Sequence, residues 1–229
     1  MASSTTSTEV ERKFDVDDAV GAPSWEGIVA GVRAQPIRSL DADYFDTAAG
    51  DLATHQITLR RRSGGPDAGW HLKLPAGPDA RTEVRLPLEA CDTPPDELVD
   101  VVAAIVRDRP LAPVARIATT RAVLALQDTD GTVLAEFCDD RVAGWTIGPA
   151  PVQRRWREWE VEVVTAGTPG ADRELLEQLC TRVQEAGARP ARHGSKLARL
   201  LPGAPAATTP ADPLQRAIAE QVEALTIWD

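Results

Sequence analysis

The chain has 229 residues, 25 Lys and Arg against 35 Asp and Glu, and a formal charge of −10; that length carries one large domain or two small ones, with a sizeable core. The acidic balance argues against a nucleic-acid surface, whose non-specific affinity comes from summed basic charge. No apolar run reaches the length of a bilayer-crossing helix, so no membrane partner is expected.

Residues 1–8 are rich in Ser and Thr and lack both the basic start and the apolar stretch of a secretion signal, so they read as a disordered tail ahead of a cytoplasmic protein. From 9 to 16 charges recur at every second position, which puts Glu9, Glu11 and Lys13 on one face of a strand. Two carboxylates one pleat apart suit a hard divalent cation, and an ammonium beside them suits the phosphate oxygens such a cation bridges. A wet edge strand carries the same alternation.

Residues 25–32 read as a short helix. Further strands are expected at 42–46, 54–63, 69–74, 82–88, 115–127, 131–140 and 157–164. With the first strand they make eight, enough for a sheet that curls or closes. Turn sequences at Gly64-Gly65-Pro66-Asp67, Gly77-Pro78-Asp79 and Asp128-Thr129-Asp130-Gly131 join neighbours as hairpins, so the sheet is mainly antiparallel. Helical spacing marks 95–107, with Leu98, Val101, Val102 and Ile105, and 172–186, with Leu175, Leu176, Leu179 and Val183; 195–201 supplies another turn or two. Residues 202–213 turn to Ala, Pro and Thr and read as a linker. Residues 214–229 then form an amphipathic helix on Leu214, Ile218, Val222 and Leu225, either folded back on the first domain or, the preferred reading, opening a second domain that is cut short. Cys91, Cys138 and Cys180 are odd in number and widely spaced, which suggests neither a disulfide framework nor a zinc set.

Strand parity sorts the charges. Arg60 and Arg62 share a face opposite Leu59; Lys73 lies opposite Leu72 and Leu74; Arg81, Glu83 and Arg85 lie opposite Val84 and Leu86. Arg121 lies opposite Leu124 and Leu126, Glu136 shares a face with Cys138 and Asp140, and Glu158, Glu160 and Glu162 lie opposite Trp159, Val161 and Val163. A sandwich with a solvated exterior gives this pattern. So does a closed sheet whose charged face lines a polar lumen, with the acidic strands holding cations and Lys13, Arg60, Arg62, Lys73, Arg121 and Lys196 holding a polyphosphate. Phosphoryl transfer to water then asks for positioning and charge neutralisation and needs no nucleophilic side chain.

The motifs in order are Glu9-x-Glu11-x-Lys13, Tyr44-Phe45-Asp46-Thr47, Leu59-Arg60-x-Arg62, Trp70-x-Leu72-Lys73, Arg81-x-Glu83, an acidic strand ending at Asp140, Glu160-x-Glu162 and Ser195-Lys196-Leu197. In this order the chain resembles the CYTH family of triphosphate tunnel metalloenzymes, over residues 9–201. The resemblance implies an α+β fold, an eight-stranded antiparallel barrel with flanking helices around a hydrophilic tunnel. It implies Mg²⁺ or Mn²⁺ in a two-metal site on Glu9, Glu11, Glu160 and Glu162, with Asp140 and Glu136 assisting, one metal neutralising phosphates and one activating water. Lys13, Arg60, Arg62, Lys73, Arg121 and Lys196 grip the triphosphate, and Glu83 closes the acidic set or orients an arginine. The implied activity is hydrolysis of inorganic triphosphate or an organic triphosphate such as thiamine triphosphate; a class IV adenylate cyclase and a non-catalytic polyphosphate- or nucleotide-binding module are the alternatives. A helical CHAD-type domain in the same polypeptide and a homodimer are the implied macromolecular partners. Two registers stay open, Asp139 against Asp140, and Arg116 against Arg121, since this chain has Thr119 where many relatives carry a further cation. Trp25, Trp145 and Trp156 serve either as stacking platforms or as packing, while His55 and His71 read as surface or strand-edge residues.

Overall fold

The computed structural model describes residues 4–77, 79–88, 92–164 and 169–201. The expected linker and terminal helix over 202–229 lie outside the described residues. The strands are β1 (Thr5–Asp15), β2 (Gly31–Ala34), β3 (Arg38–Asp46), β4 (Thr58–Ser63), β5 (Gly69–Pro75), β6 (Ala80–Pro87), β7 (Ala112–Gln127), β8 (Val133–Thr146), β9 (Gln153–Val163) and β10 (Arg189–Pro190). The helices are α1 (Asp51–Thr54), α2 (Asp96–Val106), α3 (Pro169–Glu185) and α4 (Lys196–Leu200). Eight strands run in the order β1-β6-β5-β4-β3-β7-β8-β9, and β9 pairs back onto β1, so the sheet closes into an antiparallel barrel. β2 adds to β7 and β10 to the end of β1.

The apolar faces of these strands point outward on two flanks, under helices. Leu59, Trp70, Leu72, Val84 and Leu86 pack against Leu52 of α1 and Leu98, Val102 and Ile105 of α2. Phe14, Phe137, Trp159 and Val161 pack against Leu176, Leu179 and Val183 of α3, with the Phe137 ring edge-on to Trp25 at 5.1 Å and to Trp159 at 5.2 Å. The third apolar cluster sits inside. Ala42, Tyr44, Ala115, Ile117 and Val142 have the parity of the charged residues on their strands, and they meet Leu197 and Leu200 of α4. That helix stoppers one end of the barrel. Ser195 caps it by accepting from the Ala198 N–H at 3.1 Å, and Gly144 leaves it room, because a Cβ there would stand 3.1 Å from a Leu200 methyl.

Several boundaries differ from the expectations, with β3, β7 and β9 beginning three or four residues early, and four differences have a local cause. Thr5–Thr8, read as part of a tail, pair with Thr82–Arg85 of β6, an extension the alternating Thr and Ser favour. No helix forms over 25–32: Gly27 takes φ +81°, and the β-branched residues after it lead into β2 on the edge of β7. The strand expected from 54 begins at Thr58, because the Asp46 carboxylate accepts the Leu52 and Ala53 N–H groups at 2.9 Å each and winds Asp51–Thr54 into a helical turn. β8 continues past Asp140 to Thr146, carrying Val142 into the stopper's contact.

Because the two flank cores carry most of the buried apolar surface, truncations there are costly, whereas truncating an exposed side chain at the lumen's edge is cheap. Leu98→Ala and Leu179→Ala should each lose about 2–5 kcal/mol, and Ser7→Ala less than about 0.5 kcal/mol, in urea unfolding.

Candidate active site

The lumen is a cavity of about 610 Å³ lined by nine basic and seven acidic side chains. Topology separates them. β3, β4, β5 and β6 are neighbours and contribute Arg38, Arg60, Arg62, Lys73, Arg81 and Arg85, whereas β8, β9 and β1 are neighbours and contribute Glu136, Glu160, Glu162, Glu9 and Glu11. A basic wall thus faces an acidic one. Lys73 crosses between them to pair with Glu9.

Beside the stopper the charges are matched. Lys196 Nζ lies 2.8 Å from Asp140, 2.7 Å from Glu158 and 2.6 Å from Glu160. Arg121 donates to both Asp140 oxygens at 2.8 and 2.6 Å, and Lys13 donates to Glu11 at 2.8 Å and to Glu160 at 2.7 Å. Burial pushes the Glu160 carboxyl up, but Lys13, Lys196 and Arg121 outweigh it and hold it well below the usual carboxylate range; Asp140 is lowered likewise against its burial by Lys196 and Arg121. Asp139 turns outward to a two-pronged pair with Arg157 at 2.9 and 2.7 Å, so Asp140 is the inward acid. Arg116 is exposed and paired with Asp41 at 3.4 Å; Arg121 is the lumen cation.

Toward the open part of the cavity the charges do not balance. Glu11 stands directly opposite Glu162 across β1 and β9, and Glu162 directly opposite Glu136 across β9 and β8. Three carboxylates in one cross-strand row repel. Glu11 is held down at about 2, because Lys13 and Lys73 overcome its burial. Glu162 has no hydrogen bond or ion pair among the described residues, and burial together with Glu9 and Glu11 pushes it up to about 7. The opposite wall shows the mirror condition: burial and the neighbouring Arg60 push Arg62 down to about 10, although Asp67 pairs with it.

One carboxylate group among the described residues is compact enough for its oxygens to converge on a metal, and a second, more open row has the charge for one. Asp140, Glu158 and Glu160 offer oxygens within 4.8 Å of one another, but the Lys196 ammonium already fills that cage. The row of Glu11, Glu162 and Glu136, with Glu9 beside it, has oxygen donors only and an unmet negative charge, which fits a hard divalent cation.

Every site residue expected from the sequence but Asp140 lines this lumen. Glu9, Glu11, Lys13, Arg60, Arg62, Lys73, Glu83, Arg121, Glu136, Glu160, Glu162 and Lys196 line the cavity, and Asp140 lies buried behind Arg121 and Lys196. Arg38, Tyr44, Arg81, Arg85, Glu158 and His71 were missed as site residues. Parity with Glu83 marked Arg81 and Arg85, and parity with Glu160 marked Glu158; Arg38 lies before the expected start of its strand. His71, read as a surface or edge residue, is 1% exposed and meets Glu83 at 2.9 Å, since its inward parity puts it beneath the arginines. Trp25 and Trp156 are packing residues, and Tyr44 is the one aromatic side chain among the described lining residues.

The family model for the CYTH domain matches residues 7–187. Uncharacterised proteins from two strains of Mycobacterium tuberculosis are each 54% identical over 242 aligned residues, covering 96% of this chain and 46% of the relative. The chain therefore spans about half the length of the curated relatives it matches. Among solved structures, a Bacillus halodurans protein provisionally named an adenylate cyclase has a TM-score of 0.57 at 16% identity, covering 86% of this chain and 98% of that one. A Pyrococcus horikoshii protein has 0.50 at 15%, covering 82% and 96%. At such identities the likeness is one of fold. No helix among the described residues is long and apolar enough to cross a membrane.

The acidic row sets a pH dependence. Glu162, raised from its ordinary 4.5 to about 7, stabilises the fold fully below 4.5, and that contribution is lost as pH rises through 7. Glu11, lowered to about 2, works in the opposite sense: its contribution is present above 4.5 and is lost as pH falls through 2. With a chelator present, the melting temperature should therefore fall between about pH 6 and about pH 8, and Glu162→Gln should flatten that fall. Added Mg²⁺ or Mn²⁺ should raise the melting temperature more at the higher pH. An unaltered slope in Glu162→Gln would remove Glu162 as its source.

Proposed function

The chain belongs to the CYTH family, and from that premise we propose that it is a divalent-metal-dependent triphosphatase acting on inorganic triphosphate or on an organic triphosphate such as thiamine triphosphate. The observation that carries this reading is the pair of opposed, separately unbalanced walls. Within one cavity, burial and the neighbouring Glu9 and Glu11 push Glu162 up, while burial and the neighbouring Arg60 push Arg62 down despite its pair with Asp67. A metal–polyphosphate complex is the class of ligand that relieves both.

A bound Mg²⁺ or Mn²⁺ supplies Lewis-acid neutralisation of phosphoryl oxygens and a more acidic water; Glu9, Glu11, Glu136 and Glu162 are the residues that would hold it. Arg60 and Arg62 of β4, with Lys73 and Arg85 beside them, present guanidinium forks and an ammonium to phosphate oxygens. Their positions are fixed by a closed sheet, so little reorganisation accompanies the build-up of charge on the transferring group. Lys13, Arg121 and Lys196 hold Glu160 and Asp140 ionised at the floor and keep the acidic wall from collapsing outward. α4 closes that end, so the polyanion enters from the other and the reacting bond is screened from bulk water on the stopper side.

A panel of tripolyphosphate, thiamine triphosphate and ATP with malachite-green detection tests the reading. Phosphate release with Mg²⁺ or Mn²⁺, and none with a chelator, is expected. Glu11→Gln should lower kcat by about 100-fold or more, and Arg62→Ala should raise KM about tenfold, both with cooperative melts. Cyclic AMP as the main product from ATP, or tight triphosphate binding with no turnover under any divalent metal, would overturn it. The single aromatic side chain among the lining residues gives little for an adenine ring to stack on, which weighs against the cyclase outcome.

A further inference from the structure

Glu83 is the one carboxylate that rises from the middle of the basic wall. It lies on β6 between Arg81 and Arg85, opposite Lys73 of β5. Left to itself, a carboxylate there would fold onto the nearest guanidinium or ammonium and cancel a charge the wall presents to phosphate. It does not. Its Oε1 stands 3.6 Å from Lys73 Nζ and 4.0 Å from Arg60 Nη2, and its Oε2 stands 3.9 Å from Arg85 Nε. All three lie beyond hydrogen-bond distance. The one short contact is to His71 Nδ1, at 2.9 Å. Burial would raise the carboxyl, but the His71 hydrogen bond and Lys73 hold it below the usual carboxylate range; it is therefore ionised and accepts, and Nδ1 carries the proton.

On its other side the ring meets the β4–β5 hairpin: Nε2 lies 2.9 Å from the Asp67 carbonyl oxygen, to which it donates only if the ring carries a second proton, and the Asp67 carboxylate pairs with Arg62. The ring is 1% exposed and belongs to the same lumen-facing set as Lys73, under Arg60 and Arg62. His71 thus stands between the two acidic residues of the basic wall, donating to the carboxylate of Glu83 and facing the backbone carbonyl of Asp67.

We propose that His71 is a positioning residue that holds the Glu83 carboxylate back from Arg60, Arg85 and the Glu9-paired Lys73, leaving the two guanidinium groups free for the phosphates of the substrate. This rests on the triphosphatase reading and deepens it. The charge that matters is Glu83's, so removing His71 should weaken substrate binding only while that charge is present.

The test is a double-mutant cycle of His71→Leu and Glu83→Gln, read as steady-state kinetics on tripolyphosphate and as calorimetric binding of tripolyphosphate. In the Glu83 background, His71→Leu should raise KM and weaken binding about tenfold with kcat within about twofold. In the Glu83→Gln background the same change should do almost nothing. His71→Gln, whose amide can still donate, should recover most of the loss. Additive effects, or a fall in kcat with KM unchanged, would overturn the assignment. Nitrogen-15 spectra of the unsubstituted protein supply a readout that does not depend on the variants folding: a solvent-protected proton on His71 Nδ1 is expected, and a bare Nδ1 overturns the proposal. If the unsubstituted protein releases no phosphate from any triphosphate, the functional reading falls and the binding cycle alone judges His71. If it is active and the cycle is additive, only the His71 assignment falls.

Discussion

A sheet that closes with its charges inward must balance them with little help from water, and the rest of this structure follows from how far that balance is carried. Ionised groups in a protein interior cost several kcal/mol each unless partners restore what hydration gave. At the floor of the barrel the restoration is complete: three cations, Lys196, Arg121 and Lys13, meet three buried acids, Asp140, Glu158 and Glu160, at 2.6 to 2.8 Å. Toward the open part it is withheld. There the acidic row of Glu11, Glu162 and Glu136 and the basic set of Arg60, Arg62 and Arg85 sit on different strands, each short of the other's charge.

The matched floor makes the unmatched walls tolerable. α4 brings Leu197 and Leu200 into the barrel and Lys196 with them, so a single short helix both fills the lumen with apolar volume and delivers the cation that three buried acids require. The outer flanks supply the stability: the barrel wall's apolar faces are buried under α1, α2 and α3 rather than inside. Separating the hydrophobic core from the lumen in this way lets the lumen keep a charge distribution chosen for a ligand instead of for packing.

Legibility in the sequence followed the same division. Period-two alternation told which charges share a face, and those from Glu9 to Glu162 point inward, most of them lining the cavity and Asp140 and Glu158 buried at its floor. Alternation is a local property, and it reads the same for a wet exterior and a polar lumen; closure came from the order of motifs and is fixed physically by β1, which pairs with β6 through its first half and β9 through its second. What parity could not tell was where the pattern changes meaning along one strand. Ala115 and Ile117 have the parity of Arg121 yet pack on the stopper, and Val142 has the parity of Asp140. Nor does sequence spacing show that His71, Glu83 and Asp67 converge, since that depends on the stagger of three strands and a hairpin. The short helix read over 25–32 failed because Gly27 and the β-branched residues that follow it suit an edge strand, and the apolar spacing there reflected Trp25 reaching the α3-side core.

The position of the imbalance bears on selectivity. Because the two unmet charges face each other across one cavity, neither a simple anion nor a divalent cation alone satisfies both: an anion leaves the acidic row repelling, and a cation leaves Arg62 crowded by Arg60 and Arg121. On the triphosphatase reading, a polyphosphate carrying its metal would bring both signs at once, with the phosphates toward β4 and β5 and the metal toward β1, β8 and β9. The stopper then limits reach. A chain of phosphates entering from the open end meets Lys196 and Lys13 already engaged by carboxylates, so the cations left to grip it are those of the basic wall, and the cavity of about 610 Å³ sets how much of the ligand those cations can surround. Selection of the phosphate portion therefore belongs to the barrel's interior, and selection of whatever is attached to it belongs to the open rim.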